Sequence, residues 1–559
     1  MSTVLVSLVA LPDRGWSQIP PGLPIPLPPI LPEAPLTPLP PQPAPPILPP
    51  IPPAPKREPG PPMQVFVQEI RLTGHTVFTS EQLAEVTAPY TNRQLSAEDL
   101  ESLRLALTVY YVNRGYITSG AVIPSQTVAD QVLTIRIVEG TLSRVDVEGA
   151  RWFRPGWFQD RLALSAGPPV NVNALQERLQ LFQQDPRVAS VNAELRPGLT
   201  RGDSTLHLKV ADRQPWHAIL EFNNYQSPTV GAEQGLVTLD NRNLFGIGDT
   251  FSAQYGRSLG VDPIVNVRYA VPVTSRDLTV STYYRKFDFV VKDDAFKALE
   301  IKNKAQIIGL ALRQPLYHTA QDEVAVGLTG EHEINDTTSL GQPFPFVAGA
   351  PSGTFRISAL RVSQEWTHRT SEAVLALFSR FSMGIGVLGA TSSDSTPQSA
   401  DGRFFSWLGE AQYVRQLPWH RVQLLAKTTF QFSNDHLFPL EQAVVGGRNT
   451  VRGYREYTFV RDNAFIGNVE FRIPIYTNAA GLDVVHLAPF ADVGRSWNTG
   501  ADNSPDRDTL ASVGAGLLWQ IHQTSRFEVY WGQQLNHLKG GEGNLQDHGL
   551  HIQMVVQPF

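Results

Sequence analysis

The chain has 559 residues, a net charge of −6 and no cysteine. The lack of cysteine excludes a disulfide framework and a thiolate metal site, and the acidic balance offers no basic surface for nucleic acid. The length predicts two or more structural units. No apolar run reaches the ~18 residues of a transmembrane helix. The 43 glycines and the aromatic content of 9% are compatible with a membrane β-barrel.

The first 63 residues contain two segments that predict no packed core. Residues 4–11 have the apolar character of a secretory signal, but no lysine or arginine precedes them and no small-residue cleavage site follows. We interpret residues 1–18 as a signal segment shortened by a wrong start codon. Residues 19–63 are rich in proline and predict an extended polyproline linker, with a ligand for a proline-binding module as the alternative.

Residues 64–213 show one order of elements twice, namely strand, helix, helix, strand and strand. In the first copy these elements are predicted at residues 65–72, 81–86, 96–115, 117–123 and 132–138. In the second copy they are predicted at residues 142–147, 155–164, 173–183, 188–195 and 205–210. Such a repeat predicts two successive α+β domains, at residues 64–140 and 141–213.

Beyond residue 214 the helical periodicity ends and short alternating segments continue to the last residue. Sixteen strands are predicted, at residues 216–222, 235–241, 250–257, 264–271, 277–286, 304–313, 323–331, 355–365, 372–382, 404–415, 420–432, 465–473, 487–493, 512–521, 526–535 and 548–557. Alternation alone would also fit a soluble β-sandwich.

Three features favour a barrel in a membrane over a sandwich. The segments run about ten residues, the connections alternate between short and long, and Glu, Arg and Gln recur opposite the apolar face. Backbone pairing must close on itself in lipid, which an even number of strands allows. We therefore predict a mainly β protein, with a 16-stranded transmembrane antiparallel barrel around a water-filled interior. The terminal Phe559 resembles the carboxy-terminal signal of bacterial outer-membrane barrels, although Pro558 shifts its parity.

Two local patterns that could indicate catalysis are better explained by the strands around them. Residues 256–260 read G-R-S-L-G, but they lie between two predicted strands, so we predict a hairpin rather than a nucleophile elbow. Glu331, His332 and Glu333 lack a second histidine at zinc-binding spacing and predict a solvated strand end. Without a phosphate-binding loop, ATP is not the expected energy source. The sequence predicts no enzyme, no metal and no cofactor.

Two further motifs lie late in the chain. The loop between the eleventh and twelfth predicted strands contains a V-R-G-Y motif of Val451, Arg452, Gly453 and Tyr454. The thirteenth strand ends with an F-x-D-x-G motif of Phe490, Asp492 and Gly494. Taken alone, the first is compatible with a loop tip and the second with a strand end.

In combination, the tandem repeat, the sixteen strands and the two motifs give the chain a family resemblance. Residues 64–559 resemble two-partner secretion transporters, the TpsB family of haemolysin-activation proteins and filamentous-haemagglutinin exporters. This family belongs to the superfamily of POTRA-bearing outer-membrane barrels. The repeat by itself is moderately specific, whereas the repeat followed by both motifs is strongly specific.

The resemblance implies an arrangement of domains in a Gram-negative-type cell envelope. Residues 64–140 and 141–213 would be two periplasmic POTRA domains, and residues 214–559 would be the barrel in the outer membrane. Residues 433–464 would be loop 6, which in this family folds back into the lumen. The family pairs the loop-6 arginine, here Arg452, with the strand aspartate, here Asp492. Asp492 is expected to face inward, with Phe490 displaced by local twist.

The resemblance also implies a function and its partners. The protein would secrete a large TpsA-like exoprotein, a β-helical adhesin or cytolysin, without ATP and after recognition by the POTRA domains. Outer-membrane lipid and the machinery that assembles barrels are the other expected partners. The alternative is an outer-membrane protein assembly factor of the same superfamily. A passive porin would leave the POTRA repeat and the proline-rich linker without a role. A soluble, proline-tethered β-protein that binds a partner is a further alternative.

Overall fold

The computed structural model describes residues 64–200, 202–392, 399–479, 481–500, 508–522, 524–538 and 543–559. The predicted signal segment 1–18 and the predicted linker 19–63 lie outside the described residues. The α-helices of the described part are α1 (Ser80–Thr87), α2 (Ala97–Val112), α3 (Pro155–Ala163) and α4 (Val172–Gln184). Among these residues, no helix is long and apolar enough to cross a membrane.

Side chains just before the helices define where α1 and α2 begin. Thr79 accepts a hydrogen bond from the backbone N–H of Gln82, which caps α1. Ser96 and Asp99 bind each other's backbone N–H groups at the start of α2. Such reciprocal bonds satisfy donors that the first helical turn leaves without partners. These capping residues therefore set both helix starts.

The first eight strands belong to the two α+β units. They are β1 (Gln64–Val67), β2 (Glu69–Thr73), β3 (Arg93–Ser96), β4 (Gly120–Val122), β5 (Val132–Val138), β6 (Thr141–Glu148), β7 (Val188–Pro197) and β8 (Asp203–Asp212). The prediction of one strand at residues 65–72 is wrong, because the chain divides at Gln68. On one side of that break β1 pairs with β3, and on the other β2 pairs with β5.

The two units share one sheet topology. In the first, β5 lies between β2, to which it is parallel, and β4, to which it is antiparallel. In the second, β8 lies between β6, to which it is parallel, and β7, to which it is antiparallel. Each sheet packs against the two helices of its unit through a separate apolar core. The repeated order of elements in the sequence thus corresponds to a repeated fold.

The remaining strands are β9 (Trp216–Asn223), β10 (Gln234–Asn241), β11 (Thr250–Ser258), β12 (Val261–Pro272), β13 (Thr279–Val290), β14 (Lys302–His318), β15 (Asp322–Ser339), β16 (Gln342–Pro343), β17 (Thr354–Arg369), β18 (Ala373–Gly384), β19 (Phe405–Gln416), β20 (Gln423–Ser433), β21 (Ala443–Val445), β22 (Phe459–Arg461), β23 (Asn463–Thr477), β24 (Asp483–Trp497), β25 (Asp508–His522), β26 (Ser525–Gln534) and β27 (Leu550–Val556). Apart from β16, β21 and β22, these are the sixteen long strands of a closed antiparallel barrel. Each predicted segment overlaps one of them, which confirms the predicted barrel.

Hydrogen bonds between β27 and β9 close the barrel. The paired residues run from Gln553↔Asn223 to Val556↔Leu220. Phe559 lies at the same seam, where its carbonyl oxygen accepts a hydrogen bond from the backbone N–H of Ala218 at 3.3 Å. The terminal residue therefore adds a bond between the first and last barrel strands.

The barrel interior is less uniformly polar than the sequence predicted. At the end farther from the α+β units, inward-facing Phe287, Phe289, Phe355 and Ile357 form an apolar cluster with residues of the connecting loops. Phe438, from the loop between β20 and β23, stacks on Phe355 with ring centroids 4.4 Å apart. Side chains of a loop occupy this part of the lumen, so apolar residues face inward there without exposure to water.

The prediction for Glu331, His332 and Glu333 is wrong in one respect. The two glutamates lie on β15 and face the barrel lumen. They are 8% and 1% exposed, so they do not form a solvated strand end. They are stabilised by Arg361 of β17, whose guanidinium lies 2.6 Å from Glu331 and 3.2 Å from Glu333. In contrast, residues 256–260 lie in the β11–β12 hairpin, as predicted.

The second α+β unit contacts the near end of the barrel through arginines. Arg161 of α3 donates to Asp277, in the turn between β12 and β13, at 2.5 Å. Arg187, just before β7, donates to the carbonyl oxygen of Gly248, in the turn between β10 and β11, at 2.5 Å. Both contacts join the helical side of the unit to short turns, so the unit is positioned at the barrel entrance.

Glu139 links two ends of the first α+β unit. Its carboxylate accepts hydrogen bonds from the N–H of Thr76 at 2.7 Å and of Val77 at 3.2 Å, and from the hydroxyl of Tyr111 at 3.0 Å. Partial burial disfavours the charged carboxylate, but these hydrogen bonds outweigh it and hold the pKa of Glu139 below its usual value. The charged form of Glu139 therefore stabilises the turn that follows β2.

Replacing Glu139 by Gln should weaken this turn. We expect the free energy of unfolding to fall by about 1.5–3 kcal/mol, the scale of a hydrogen bond to a charged group. Because the folded pKa is lowered, the stabilisation is present above the unfolded pKa and is lost as the pH falls through the folded one. Hydrogen–deuterium exchange of full-length protein in detergent should show faster exchange at Thr76 and Val77. Glu85→Gln, at an exposed position of α1, is the control that should leave exchange unchanged.

Candidate functional site

The loop between β20 and β23 folds back into the barrel. Residues 434–462 of this loop, hereafter loop 6, contain the β21–β22 hairpin, and the V-R-G-Y motif lies in the segment that connects its two strands. Val451, Arg452 and Tyr454 are at most 3% exposed, although they belong to a loop. The motif is therefore packed inside the barrel against its wall.

Arg452 binds the strand residue that the family resemblance paired with it. The guanidinium donates from Nε and Nη2 to the two carboxylate oxygens of Asp492, each at 2.8 Å. The backbone N–H of Arg452 donates to the same carboxylate at 3.0 Å. Asp492 lies on β24 and is 4% exposed. Such a bidentate pair of hydrogen bonds is a strong interaction between a buried arginine and a buried carboxylate.

A second carboxylate and two aromatic rings complete the surroundings of Arg452. Its Nη1 donates to Glu470 of β23, which also accepts a hydrogen bond from the Tyr530 hydroxyl at 3.2 Å. The guanidinium carbon lies 3.7 Å from the centroid of the Phe490 ring. Phe490 is thus inside the barrel on the same face of β24 as Asp492. The expectation that local twist displaces Phe490 is wrong, because its ring packs against the guanidinium of Arg452 inside the lumen.

Glycines in the two motifs permit close approach of loop and wall. Gly453 has a φ of +89°, and a Cβ built there would lie 2.7 Å from the carbonyl oxygen of Gly532 on β26. A Cβ at Gly494 would lie 2.6 Å from Val445 and 2.7 Å from Val451 of loop 6. Only glycine, which has no Cβ, avoids these overlaps. The packing of loop 6 therefore explains the glycine of F-x-D-x-G, Gly494.

Tyr454 fixes the far side of the motif. Its side chain is 1% exposed, and its hydroxyl lies 2.9 Å from the carbonyl oxygens of both Ala511 and Asn536. Arg455, the next residue, forms an ion pair with Asp547 in the loop before β27. Every residue of V-R-G-Y therefore has a contact of its own with the barrel or its loops.

The charges around Arg452 explain why the contact is hard to break. Among the described residues, Asp492 accepts hydrogen bonds from Arg452 only. Removal of one partner of such a buried pair costs about 3–5 kcal/mol, because the other charge is left without compensation. Displacement of the loop-6 tip would leave both Asp492 and Arg452 as charges without this partner. The pair is accordingly a strong anchor for the tip.

Sequence reasoning did not identify three residues of the site. Glu470, Tyr530 and Gly532 contact the motif but belong to strands β23 and β26. Glu470 falls within the strand predicted at residues 465–473, but nothing in its local sequence separates it from the other polar residues of the barrel strands. The site therefore comprises both sequence motifs together with neighbours from adjoining strands. Among the described residues, no cluster of His, Asp and Glu is suited to hold a metal ion.

Gly494→Val tests whether the close packing holds the loop-6 tip. The added side chain would overlap Val445 and Val451, so the tip should move away from β24. We expect trypsin to cleave within loop 6 at Arg448 or Arg455 at least about tenfold faster, since a loss of 1.4 kcal/mol or more is expected from overpacking. Gly467→Val, where a Cβ meets nothing closer than 3.5 Å, is the matched control. Equal cleavage rates in the two variants would contradict this account.

Comparisons with known proteins agree with this architecture. Residues 202–518 match the family described as haemolysin secretion/activation protein ShlB/FhaC/HecB, and residues 65–140 match the POTRA domain of ShlB type. The outer membrane transporter CdiB of Dickeya dadantii is 23% identical over 475 residues, which cover 81% of this chain and 79% of that protein.

Two solved structures share the fold. CdiB from Escherichia coli superposes with a TM-score of 0.69 at 21% identity, over 91% of this chain and 93% of that one. BamA from Haemophilus ducreyi, lacking POTRA domains 1–3, superposes with a TM-score of 0.52 at 13% identity, over 88% and 100%. The family match spans more than half of the chain. The chain therefore belongs to the ShlB/FhaC/HecB family and is an outer-membrane transporter of two-partner secretion, with its POTRA region in the periplasm.

Proposed function

We propose that this protein exports one large, unfolded exoprotein through its barrel, with Arg452 and Asp492 holding loop 6 in a position that export requires. The observation that carries the proposal is the burial of the loop-6 tip against β24 inside the lumen. A passive pore would gain nothing from a loop bound across its interior by a buried ion pair. Membership of a secretion family supports the same conclusion.

Recognition of the exoprotein is proposed to occur at the α+β units, which we assign as two POTRA domains. β7 has ten residues and pairs with β8 along one side, while no described strand pairs with its other side. An unpaired strand edge can accept an extended peptide as an additional strand. The Arg161–Asp277 contact places this unit beside the barrel entrance, so a bound segment would start near the lumen.

Export would need no nucleotide. The sequence has no phosphate-binding loop, and folding of the exoprotein outside the cell would make its return unfavourable. We expect a TpsA-like partner, an adhesin or a cytolysin that folds as a β-helix. Insertion of the transporter itself would involve outer-membrane lipid and the cell's barrel assembly machinery.

The alternative function, assembly of other outer-membrane proteins, rests on the shared barrel fold. The likeness to BamA is at 13% identity and concerns the fold alone. The match to the secretion family over residues 202–518 favours export. Assignment of two POTRA domains rather than a longer array favours it as well.

The decisive experiment compares a deletion strain complemented with wild-type protein or with Arg452→Ala. Wild type should restore one or two large proteins to the culture supernatant, as measured by quantitative proteomics. Arg452→Ala should assemble in the outer membrane but reduce secretion at least about tenfold, because the buried Asp492 loses its charge partner, whereas Glu470 keeps Arg472.

Arg257→Ala, at an exposed position of the β11–β12 hairpin, is the control and should secrete normally. A general fall of outer-membrane barrels in the deletion strain would make the protein an assembly factor instead. Absence of the Arg452→Ala barrel from the membrane would mean that the ion pair serves assembly rather than export.

The proposed recognition by β7 has a separate test. A photo-crosslinking residue at Glu194, exposed on β7, should capture the secreted protein identified above. The same residue at Glu85, on the exposed side of α1, should capture at least about fivefold less, since a helix surface offers no backbone edge. Equal capture at both positions would contradict recognition by strand addition.

A further inference from the structure

A second part of loop 6 crosses the lumen and contacts the opposite wall. Residues 437–441, hereafter the loop-6 arm, lie against strands β13 to β17, whereas the tip lies against β24. Leu437, Phe438 and Leu440 of the arm are each at most 2% exposed. Loop 6 is therefore held on two sides of the barrel.

An ion pair joins the arm to this wall. Arg361 of β17 donates to the two carboxylate oxygens of Glu441 at 2.6 and 2.9 Å. Both of these hydrogen bonds join loop 6 to strand β17. Arg361 is 5% exposed and Glu441 6% exposed, so the pair is out of contact with bulk water.

The charges around Arg361 differ from those around Arg452. Besides Glu441, Arg361 binds Glu331 at 2.6 Å and Glu333 at 3.2 Å, both on the barrel wall. Arg285 also binds Glu331, at 3.2 Å. If Glu441 leaves, Arg361 keeps Glu331 and Glu333 as partners, and the guanidiniums of Arg285 and Arg361 balance these two carboxylates. With Glu441 in place, three carboxylates surround the same two guanidiniums.

Not every polar atom of the cluster is paired. Oε2 of Glu333, Oε2 of Glu410 and Nε of Arg380 are buried and have no hydrogen-bond partner among the described residues. Arg380 and Glu410 lie close enough to interact with the cluster and contribute one charge of each sign. Departure of the arm thus leaves a balanced wall, whereas departure of the tip leaves Asp492 alone.

Bonds within loop 6 do not oppose such a movement. Asp462 accepts hydrogen bonds from the N–H of Leu437 at 3.0 Å and from the side chain of Gln442 at 2.9 Å. These bonds tie the two ends of the arm to the base of the same loop. Gln431 of β20 donates to the carbonyl oxygens of both Glu441 and Asp462, so a movement of the arm and base away from β13 to β17 would pivot at β20.

The arm also contributes to the closure of the outer mouth. Its three apolar side chains belong to one cluster with residues of four other loops at this end, including Val230, Val291, Ala350 and Ala400. This apolar packing keeps the arm in place at rest. An exported chain leaving the barrel would have to displace it.

We propose that Arg361 and Glu441 are positioning residues that form a second, releasable anchor of loop 6. This anchor holds the arm in the closed mouth and opens during export, while Arg452 stays bound to Asp492. The inference rests on the proposed export function. Its first test nevertheless measures the closed mouth itself and requires no exoprotein.

The first experiment measures single-channel currents of purified full-length protein in planar bilayers. Glu441→Gln should raise the open fraction about tenfold over wild type, the effect of losing one charged hydrogen bond. Glu365→Gln, which removes a carboxylate of the same strand β17 from its ion pair with Arg313, outside the Arg361 cluster, is the matched control and should stay near wild type. Trypsin cleavage at Arg448 should remain slow in Glu441→Gln, because the tip stays bound. Wild-type currents in Glu441→Gln, equal opening of the control, or release of the tip would each overturn the proposal.

The second experiment keeps Glu441 and locks the arm. The rings of Phe355 and Phe438 stack at 4.4 Å, and the chain has no cysteine, so a Phe355→Cys/Phe438→Cys double variant can be joined by a short reducible cross-linker. Cross-linked cells should stop secreting, and reduction should restore secretion to the level of the uncross-linked variant. Normal secretion through the locked barrel would overturn the proposal. If the proposed export function were wrong, the deletion strain would lose no exoprotein from the supernatant. The current measurements do not depend on that result.

Discussion

The structure depends on a buried arginine that must be matched inside a barrel lumen. Arg452 sits in a loop, and a loop has no backbone ladder to hold it, so its position comes from its ion pair and packing. Asp492 supplies two oxygens, Glu470 a third contact and Phe490 a ring beneath the cation. The wall can present these groups together because closure of sixteen strands fixes β23, β24 and β26 as near neighbours.

The two contacts of loop 6 use the same chemistry with different consequences. A guanidinium binds a carboxylate bidentately in both, and both are removed from water. The arginine is on the loop in one case and on the wall in the other. Asp492 relies on the loop for its charge partner, whereas Arg361 has wall partners that remain when the loop moves. The placement of the charges therefore separates a fixed contact from one that we propose is released.

Much of the fold could be predicted from local patterns, because each strand must face lipid on one side. The alternation of Val469 and Phe471 with Glu470 and Arg472 is a local property and identifies β23 without knowledge of its neighbours. The capping residues Thr79 and Ser96 are equally local. β3 was missed because its four residues show no alternation, and only its pairing with β1 makes it a strand.

The site could be predicted only as far as its motifs extend. Arg452 and Asp492 are marked by the sequence around them, but Tyr530 reaches Glu470 through a neighbour relation that depends on strand order. Glu331 was misjudged for a similar reason. Its solvation is decided by Arg361 and by a loop that begins about a hundred residues later in the chain. Burial of a charge inside a barrel is a property of tertiary structure.

The apolar cluster of the outer mouth shows why a polar interior cannot be the whole design. A barrel of sixteen strands is wide enough to leave an aqueous channel if its lumen is empty. A secretion pore at rest must avoid such a channel, and polar loops alone would remain hydrated. Phe438 on Phe355, with the apolar residues around them, excludes water where loop 6 crosses the lumen. We propose that the departure from the polar-inside pattern at β13, β14 and β17 serves to close the pore between export events.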